Sequence, residues 1–199
     1  MSDAATGQKS GTDKTSTILV VGDSLSAEYG LKRGMGWVAL LEKKLASDKV
    51  NSLVINASIS GDTTSGGRSR LNELLAKHHP THVIIELGGN DALRGLPMQL
   101  SQDNLSQMTQ AAQKTGAKVL LLGMQMPPNY GKDYAAQFAA VFAGVSKTHK
   151  AALVPFMLKG IADQPDSLQL FQADRIHPKE AAHPLILANV WPELQKQLK

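Results

Sequence analysis

Four short blocks of this chain carry residue types suited to acyl-transfer chemistry, and three of them follow apolar runs. Gly22-Asp23-Ser24-Leu25-Ser26 follows Ile18-Leu19-Val20-Val21. Such a run reads as a buried strand, and in a parallel α/β sheet ligands gather outside the carboxyl ends of the strands. A serine on that turn is placed for nucleophilic attack, provided the fold brings it a base, because a free hydroxyl is a poor nucleophile. The far end of the chain offers one in Asp174-Arg175-Ile176-His177-Pro178. A carboxylate and an imidazole three residues apart can pair on one tight turn, so that the acid fixes the tautomer of the base. Ser60-Gly61-Asp62-Thr63 follows Leu53-Val54-Ile55, and Gly88-Gly89-Asn90-Asp91 follows Val83-Ile84-Ile85-Glu86-Leu87. Gly61 offers a backbone N–H with no side chain in the way and Asn90 offers an amide. Those are the donor types that stabilise an oxyanion, with the Ser24 N–H as a third.

Each residue also has an ordinary structural use. Ser24 can cap the helix that follows it, Gly61 can serve a turn at positive φ, Asn90 can close an Asx-turn, and Asp174 can act as a helix cap or turn residue. Of the six histidines, His78, His79, His82, His149 and His183 read as helix ends, strand starts or surface. Only His177 carries an aspartate three residues before it and a proline directly after it. The order Ser…Asp…His also occurs in α/β-hydrolases, but Gly-x-Ser-x-Gly flanks are missing around Ser24, which argues against that fold. The segment Gly61 to Ser69 invites a P-loop reading, yet Gly67 and Arg68 occupy the places where lysine and a hydroxyl residue belong. Neither a His-Glu-x-x-His motif nor a carboxylate cluster points to a metal, and no cofactor is expected.

Taken together and in this order, Gly-Asp-Ser-Leu-Ser, the Gly61 block, Gly-Gly-Asn-Asp and Asp-x-x-His resemble the GDSL or SGNH hydrolase superfamily. The wording Asn56-Ala57-Ser58-Ile59-Ser60-Gly61-Asp62-Thr63 and Glu86-Leu87-Gly88-Gly89-Asn90-Asp91-Ala92-Leu93-Arg94-Gly95-Leu96 is similar to its bacterial thioesterase/protease/lysophospholipase and arylesterase branch. The likeness runs from about Thr17 to Leu198. It implies Ser24 as nucleophile, His177 as base, Asp174 as orienter, and Ser24, Gly61 and Asn90 as the oxyanion hole. The substrate implied is a small-molecule carboxylic ester, with thioesters or lysophospholipids alongside. A carbohydrate-ester deacetylase and a non-catalytic flavodoxin-like binding module are the alternatives. One departure stands out: this branch usually has glycine where Arg175 lies. If that glycine serves a positive φ, a bulky residue is strained there.

The site has to be held by a scaffold, and the rest of the sequence describes one. Strands are expected at 17–22, 52–57, 82–87, 118–123 and 151–154, with helical stripes between them. Trp37, Val38, Leu41 and Leu45 share a face, as do Leu71, Leu74 and Leu75, and Leu105, Met108 and Ala112. Tyr134, Phe138, Val141, Phe142 and Val145 form the fullest stripe. A last helix is expected over about 179–198, kinked or restarted at Pro192. Alternating strands and helices imply an α/β fold with a parallel sheet covered on both faces. The resemblance implies a three-layer α/β/α, flavodoxin-like sheet of five strands in the order 2-1-3-4-5. Ser24 and Asn90 then flank the crevice where the strand order reverses. Two loops are expected to shape a substrate pocket, 92–97 and 124–130. In the second, Met126, Pro127 and Tyr130 suit an apolar acyl group, against the plainer reading of a proline-stiffened loop packed on the core.

At 199 residues the chain fits one domain at 17–199 behind a polar tail at 1–16. The net charge of +4 is spread without a basic patch, so nucleic acid is not expected as a partner. No stretch reaches the ~20 apolar residues of a membrane span. The tail lacks the apolar core of a signal peptide. With the resemblance, this leads to the expectation of a periplasmic or secreted protein in its mature form, a cytoplasmic protein being the alternative. The absence of cysteine suits either compartment and excludes disulfides. A monomer is expected.

Overall fold

The computed structural model describes residues 15–126 and 128–199. Five strands form one all-parallel sheet: β1 (Ser16–Gly22), β2 (Ser52–Asn56), β3 (His82–Glu86), β4 (Lys118–Leu122) and β5 (Ala152–Val154), in the order β2-β1-β3-β4-β5. The expected strands and their order are both present. Ser16 pairs with Ser52, so the sheet begins one residue inside the segment read as a tail; residues 1–14 lie outside those described. The helices are α1 (Trp37–Ser47), α2 (Thr64–His78), α3 (Gly89–Leu93), α4 (Met98–Lys114), α5 (Lys132–His149) and α6 (His183–Leu198).

Strand side chains alternate between the two faces, and each central strand is apolar on both, as a covered parallel sheet requires. Leu19 and Val21, Val83 and Ile85, and Val119 and Leu121 meet Leu71 and Leu75 of α2, Leu105 and Met108 of α4, and Phe138 and Phe142 of α5. Those two phenylalanine rings cross edge to face, centroids 5.3 Å apart. Their neighbours Ile18 and Val20, Ile84, and Leu120 and Leu122 meet Trp37, Leu41 and Leu45 of α1 and Ile186, Val190 and Leu194 of α6. Each helical stripe expected from spacing therefore faces a layer of the sheet.

Two details of the helices differ from expectation. The last helix opens as a 3₁₀ turn at Glu180–Ala182 and becomes α-helical only at His183. It then runs to Leu198 through Pro192 without interruption. Trp191 beside that proline is half-buried against the same core, and Lys44 of α1 lies 4.5 Å over its ring. The packing of α6 outweighs the one backbone bond Pro192 cannot make. The short α3 starts inside the Gly-Gly-Asn-Asp block, where the sequence suggests a turn alone.

Candidate active site

From β1 the chain leads to β2 on one side and returns to β3 on the other, so a crevice opens at the carboxyl ends of β1 and β3. Ser24 stands there, on a tight turn in which Ser26 N–H and Ala27 N–H donate to the Asp23 carbonyl at 3.2 and 2.9 Å. The Asp23 side chain accepts Leu25 N–H at 3.0 Å and closes the same turn. Across the crevice, the loop before α6 brings in His177, whose Nε2 lies 2.9 Å from Ser24 Oγ. His177 Nδ1 lies 2.7 Å from Asp174 Oδ2. With Nδ1 protonated and donating to the carboxylate, Nε2 is left as the acceptor facing the hydroxyl.

Asp174 and His177 share one self-closed turn. Asp174 Oδ1 accepts the Ile176 and His177 N–H groups at 2.9 and 3.0 Å. These backbone bonds, with the His177 ring behind them, hold the Asp174 carboxyl down at about 2. For the chain to fold back this tightly, Arg175 adopts φ 59°, the left-handed region that a bulky side chain enters at a cost. The positive φ that a glycine would serve is therefore real in this protein. Around the turn, Gln172 N–H donates to the His177 carbonyl at 2.8 Å, and Gln172 Nε2 reaches the Tyr29 carbonyl at 2.9 Å. The Tyr29 ring lies against the His177 ring, centroids 4.2 Å apart. His177 is thus clamped to the loop that carries Ser24.

On the other side of Ser24, Gly61 takes φ 80°, a conformation that suits glycine. Among the described residues no acceptor takes the backbone N–H of Ser24 or of Gly61. Asn90, in the first turn of α3, reaches the site with its amide engaged twice, to Asp23 Oδ2 at 2.9 Å and to the Asp62 carbonyl at 3.0 Å. Arg94 donates to the Gly61 carbonyl at 2.9 Å. Arg70 pairs with Asp62 at 2.8 Å and also bonds the Ala57 carbonyl, which fixes the Gly61 loop from behind. Asp91 anchors α3 through Thr64 N–H at 2.9 Å and Ser101 Oγ at 3.2 Å.

Ser24, Gly61, Asn90, Asp174 and His177 thus converge on one crevice from separate segments of the chain. The loop after β4 divides. Met126 is buried in the core with Phe138 and Phe142, the packing alternative of the two weighed for it. Tyr130 is exposed and stacks on Tyr134, whose hydroxyl donates to the Ala92 carbonyl of α3. Pro127 lies outside the described residues. A groove of about 740 Å³ between α2 and α4 includes none of the converging residues.

Sequence reasoning misses three residues at the site. Tyr29 has no spacing to single it out. His183, which reads as incidental, is buried, and its Nδ1 accepts Trp37 N–H at 3.0 Å, completing the start of α1. Glu86 does carry a signal: a carboxylate within Val83-Ile84-Ile85-Glu86-Leu87 has to be buried, and buried acids need partners.

The sequence pattern of the GDSL-like lipase/acylhydrolase family matches residues 20–185. The chain is 53% identical over 182 residues to esterase TesA of Pseudomonas aeruginosa, covering 92% of this chain and 89% of that protein. To thioesterase 1/protease 1/lysophospholipase L1 of Escherichia coli K12 it is 40% identical over 179 residues, 90% of this chain and 83% of that one. The crystal structure of a psychrotrophic esterase, EstA from Pseudoalteromonas sp., inhibited by monoethylphosphonate, superposes with a TM-score of 0.85. It is 41% identical and covers 92% of this chain and 98% of that one.

Proposed function

The chain belongs to the GDSL-like lipase/acylhydrolase family, and on that premise we propose that it is a serine hydrolase cleaving carboxylic esters through an acyl-enzyme on Ser24. The observation that carries this reading is the unbroken chain of contacts from Ser24 Oγ to His177 Nε2 at 2.9 Å and from His177 Nδ1 to Asp174 Oδ2 at 2.7 Å. A binding module has no need of that alignment.

Ser24 Oγ attacks the carbonyl carbon while its proton passes to His177 Nε2. Asp174 stabilises the imidazolium without taking the proton. Negative charge collects on the former carbonyl oxygen, and the Ser24 and Gly61 N–H groups, taken by no acceptor among the described residues, are the donors this reading assigns to it. Asn90 joins them by exchanging its bond to the uncharged Asp62 carbonyl for the oxyanion, while the charge-assisted bond to Asp23 holds the amide in place. As the intermediate collapses, His177 gives its proton to the departing alcohol or thiol. Water then repeats the sequence on the acyl-enzyme, with His177 again the base, and releases the acid and free Ser24.

The rim favours an apolar acyl or aryl group. Tyr29, Ile59, Leu93, Tyr130 and Ile176 are all substantially exposed, and four of them lie within five residues of Ser24, Gly61, Asn90 or His177. Thioesters and lysophospholipids, named for the Escherichia coli relative, fit the same chemistry. Ser24, Gly61, Asn90, Asp174 and His177 complete the reading within a single copy of the chain, so a monomer suffices for the proposed chemistry. The test is turnover of p-nitrophenyl esters of increasing acyl length, with acyl-thioesters in parallel. Ester hydrolysis should be abolished by an organophosphonate whose adduct maps to Ser24. Hydrolysis that persists with Ser24 fully modified would overturn the reading, and turnover confined to acetylated sugars would move it to a deacetylase.

A further inference from the structure

Beneath Ser24 the sheet buries a second acid that the hydrolytic steps do not use. Glu86, the last residue of β3, is fully buried and stands opposite Gly22 of β1. A side chain at position 22 would collide with it, since a Cβ there comes within 2.7 Å of Glu86 Oε2. That oxygen accepts Asp23 N–H at 3.2 Å and Ser26 Oγ–H at 2.7 Å. Ser26 Oγ in turn accepts the Trp37 indole N–H at 3.2 Å. Glu86 Oε1 is equally buried but meets no donor.

A carboxylate oxygen shut away without a donor is costly. A carboxylic O–H in the same place needs an acceptor instead, and the Asp23 carboxyl is the neighbouring group of that kind, the Asp23 N–H being already held by Glu86 Oε2. Oε2 is committed as an acceptor to two donors, which leaves Oε1 as the proton-bearing atom. The remaining bonds of Asp23 lead to the chemistry: Oδ1 accepts Leu25 N–H at 3.0 Å and Oδ2 accepts the Asn90 amide at 2.9 Å.

We propose that Glu86 is a positioning residue, held as the neutral acid and donating Oε1–H to the Asp23 carboxylate, so that Asp23 aims the Asn90 amide and braces the Ser24 turn. The inference rests on the reading of Asn90 as an oxyanion donor. Burial drives the Glu86 carboxyl well above the ordinary carboxylate range, and the Asp23 charge beside it drives it further. Burial also lifts Asp23, to about 6, against its bond to Leu25 N–H and the attraction of His177 across the crevice. Around neutral pH the pair therefore holds one proton and one negative charge, as two carboxyls sharing a buried site must. From α1 the pair is faced by the neutral Trp37 indole, acting through Ser26.

The test uses the full chain and the variants Glu86→Gln, Glu86→Asp and Glu86→Ala. Glutamine keeps the shape, donates from its amide to Asp23 and accepts from Ser26 and Asp23 N–H. Infrared difference spectra of wild type against Glu86→Gln, taken at about pH 8 where ordinary carboxyls are ionised, should show a protonated carboxylic acid C=O band only in the wild type. Glu86→Gln should keep kcat within about 3-fold, while Glu86→Asp, whose acid is withdrawn by one methylene, and Glu86→Ala should lose roughly 10–100-fold in kcat at nearly constant KM. If the alanine variant does not fold, the glutamine and aspartate pair carries the comparison. Absence of the acid band, or a glutamine variant that falls as far as the aspartate one, overturns the proposal. The infrared measurement needs no turnover. A failure of the Asn90 reading, seen as normal kcat in Asn90→Ala, is therefore distinguishable from a failure of this one.

Discussion

Replacing Arg175 with glycine tests whether the Asp174–His177 turn is held at a conformational cost. Arg175 is exposed and adopts φ 59°. A left-handed conformation costs a residue with a Cβ about 1–2 kcal/mol, which glycine avoids. Glycine in exchange gives up about 0.5–1 kcal/mol in extra chain entropy on folding. The balance for Arg175→Gly is a gain of about 0.5 kcal/mol. At about 2–4 °C per kcal/mol for a chain of this size, that is a rise of roughly 1–2 °C in Tm. Activity should stay within about 2-fold, since the bonds from Asp174 Oδ1 to the Ile176 and His177 N–H groups are backbone bonds that glycine keeps. Valine is the opposing probe, because a β-branched residue at positive φ is a genuine outlier. Arg175→Val should lower Tm by several degrees and kcat by about 10-fold or more, as the turn opens and His177 drifts from Ser24. Thermal melts followed by circular dichroism and steady-state ester hydrolysis read both. A glycine variant that melts several degrees lower, or a valine variant indistinguishable from wild type, would refute the argument.

The reaction and its pH dependence give further expectations. Ser24→Ala and His177→Ala should each lower kcat by roughly 10⁶-fold, and the double variant by no more, because the pair acts as a unit; kinetics on a p-nitrophenyl ester measure this. Asn90→Ala should cost roughly 10²–10³ in kcat with KM nearly unchanged, since the exchanged bond strengthens only in the transition state; a loss confined to KM would make Asn90 a substrate-positioning group. Asp174 is held below its unfolded value, at about 2 against 3.8, so its contribution to stability is present above pH 3.8 and is lost as pH falls through about 2. The Tm difference between wild type and Asp174→Asn should therefore be larger at neutral pH than in strong acid; a difference independent of pH would show that the carboxylate charge contributes nothing to the fold.

The features legible in the sequence are local ones. Apolar runs of strand length, stripes at helical spacing, and a hydroxyl, an amide and an Asp-His pair placed behind them are properties of neighbouring residues, and all have their counterparts in the fold. What escapes depends on partners distant in the chain or on backbone angles that composition does not encode. His183 meets Trp37 across 146 positions, and periodicity within α6 cannot announce that contact. The glycine usual at position 175 raises the question of a positive φ there, and only the backbone answers it. Glu86 signals burial by interrupting an apolar strand, but its partners, Asp23 and Ser26, lie 63 and 60 positions away on the turn after β1. Pro192 does not restart α6, because a rule about isolated helices does not govern one pressed against a sheet face.

The 153 positions between Ser24 and His177 set an order of events in the life of the protein. Synthesis reaches Ser24 long before His177, so over that stretch a growing chain carries the serine without the imidazole that meets it in the fold. The strands β1 to β4 can emerge and begin to pair while this holds, but His177 arrives only with the loop before α6, the helix that covers one side of the sheet. On the roles proposed for Ser24 and His177, completing this sheet's cover and arming the site are therefore one event. A chain that stops short of His177 would present the Ser24 turn with no imidazole to pair with it, and would lack α6 over that face of the sheet as well.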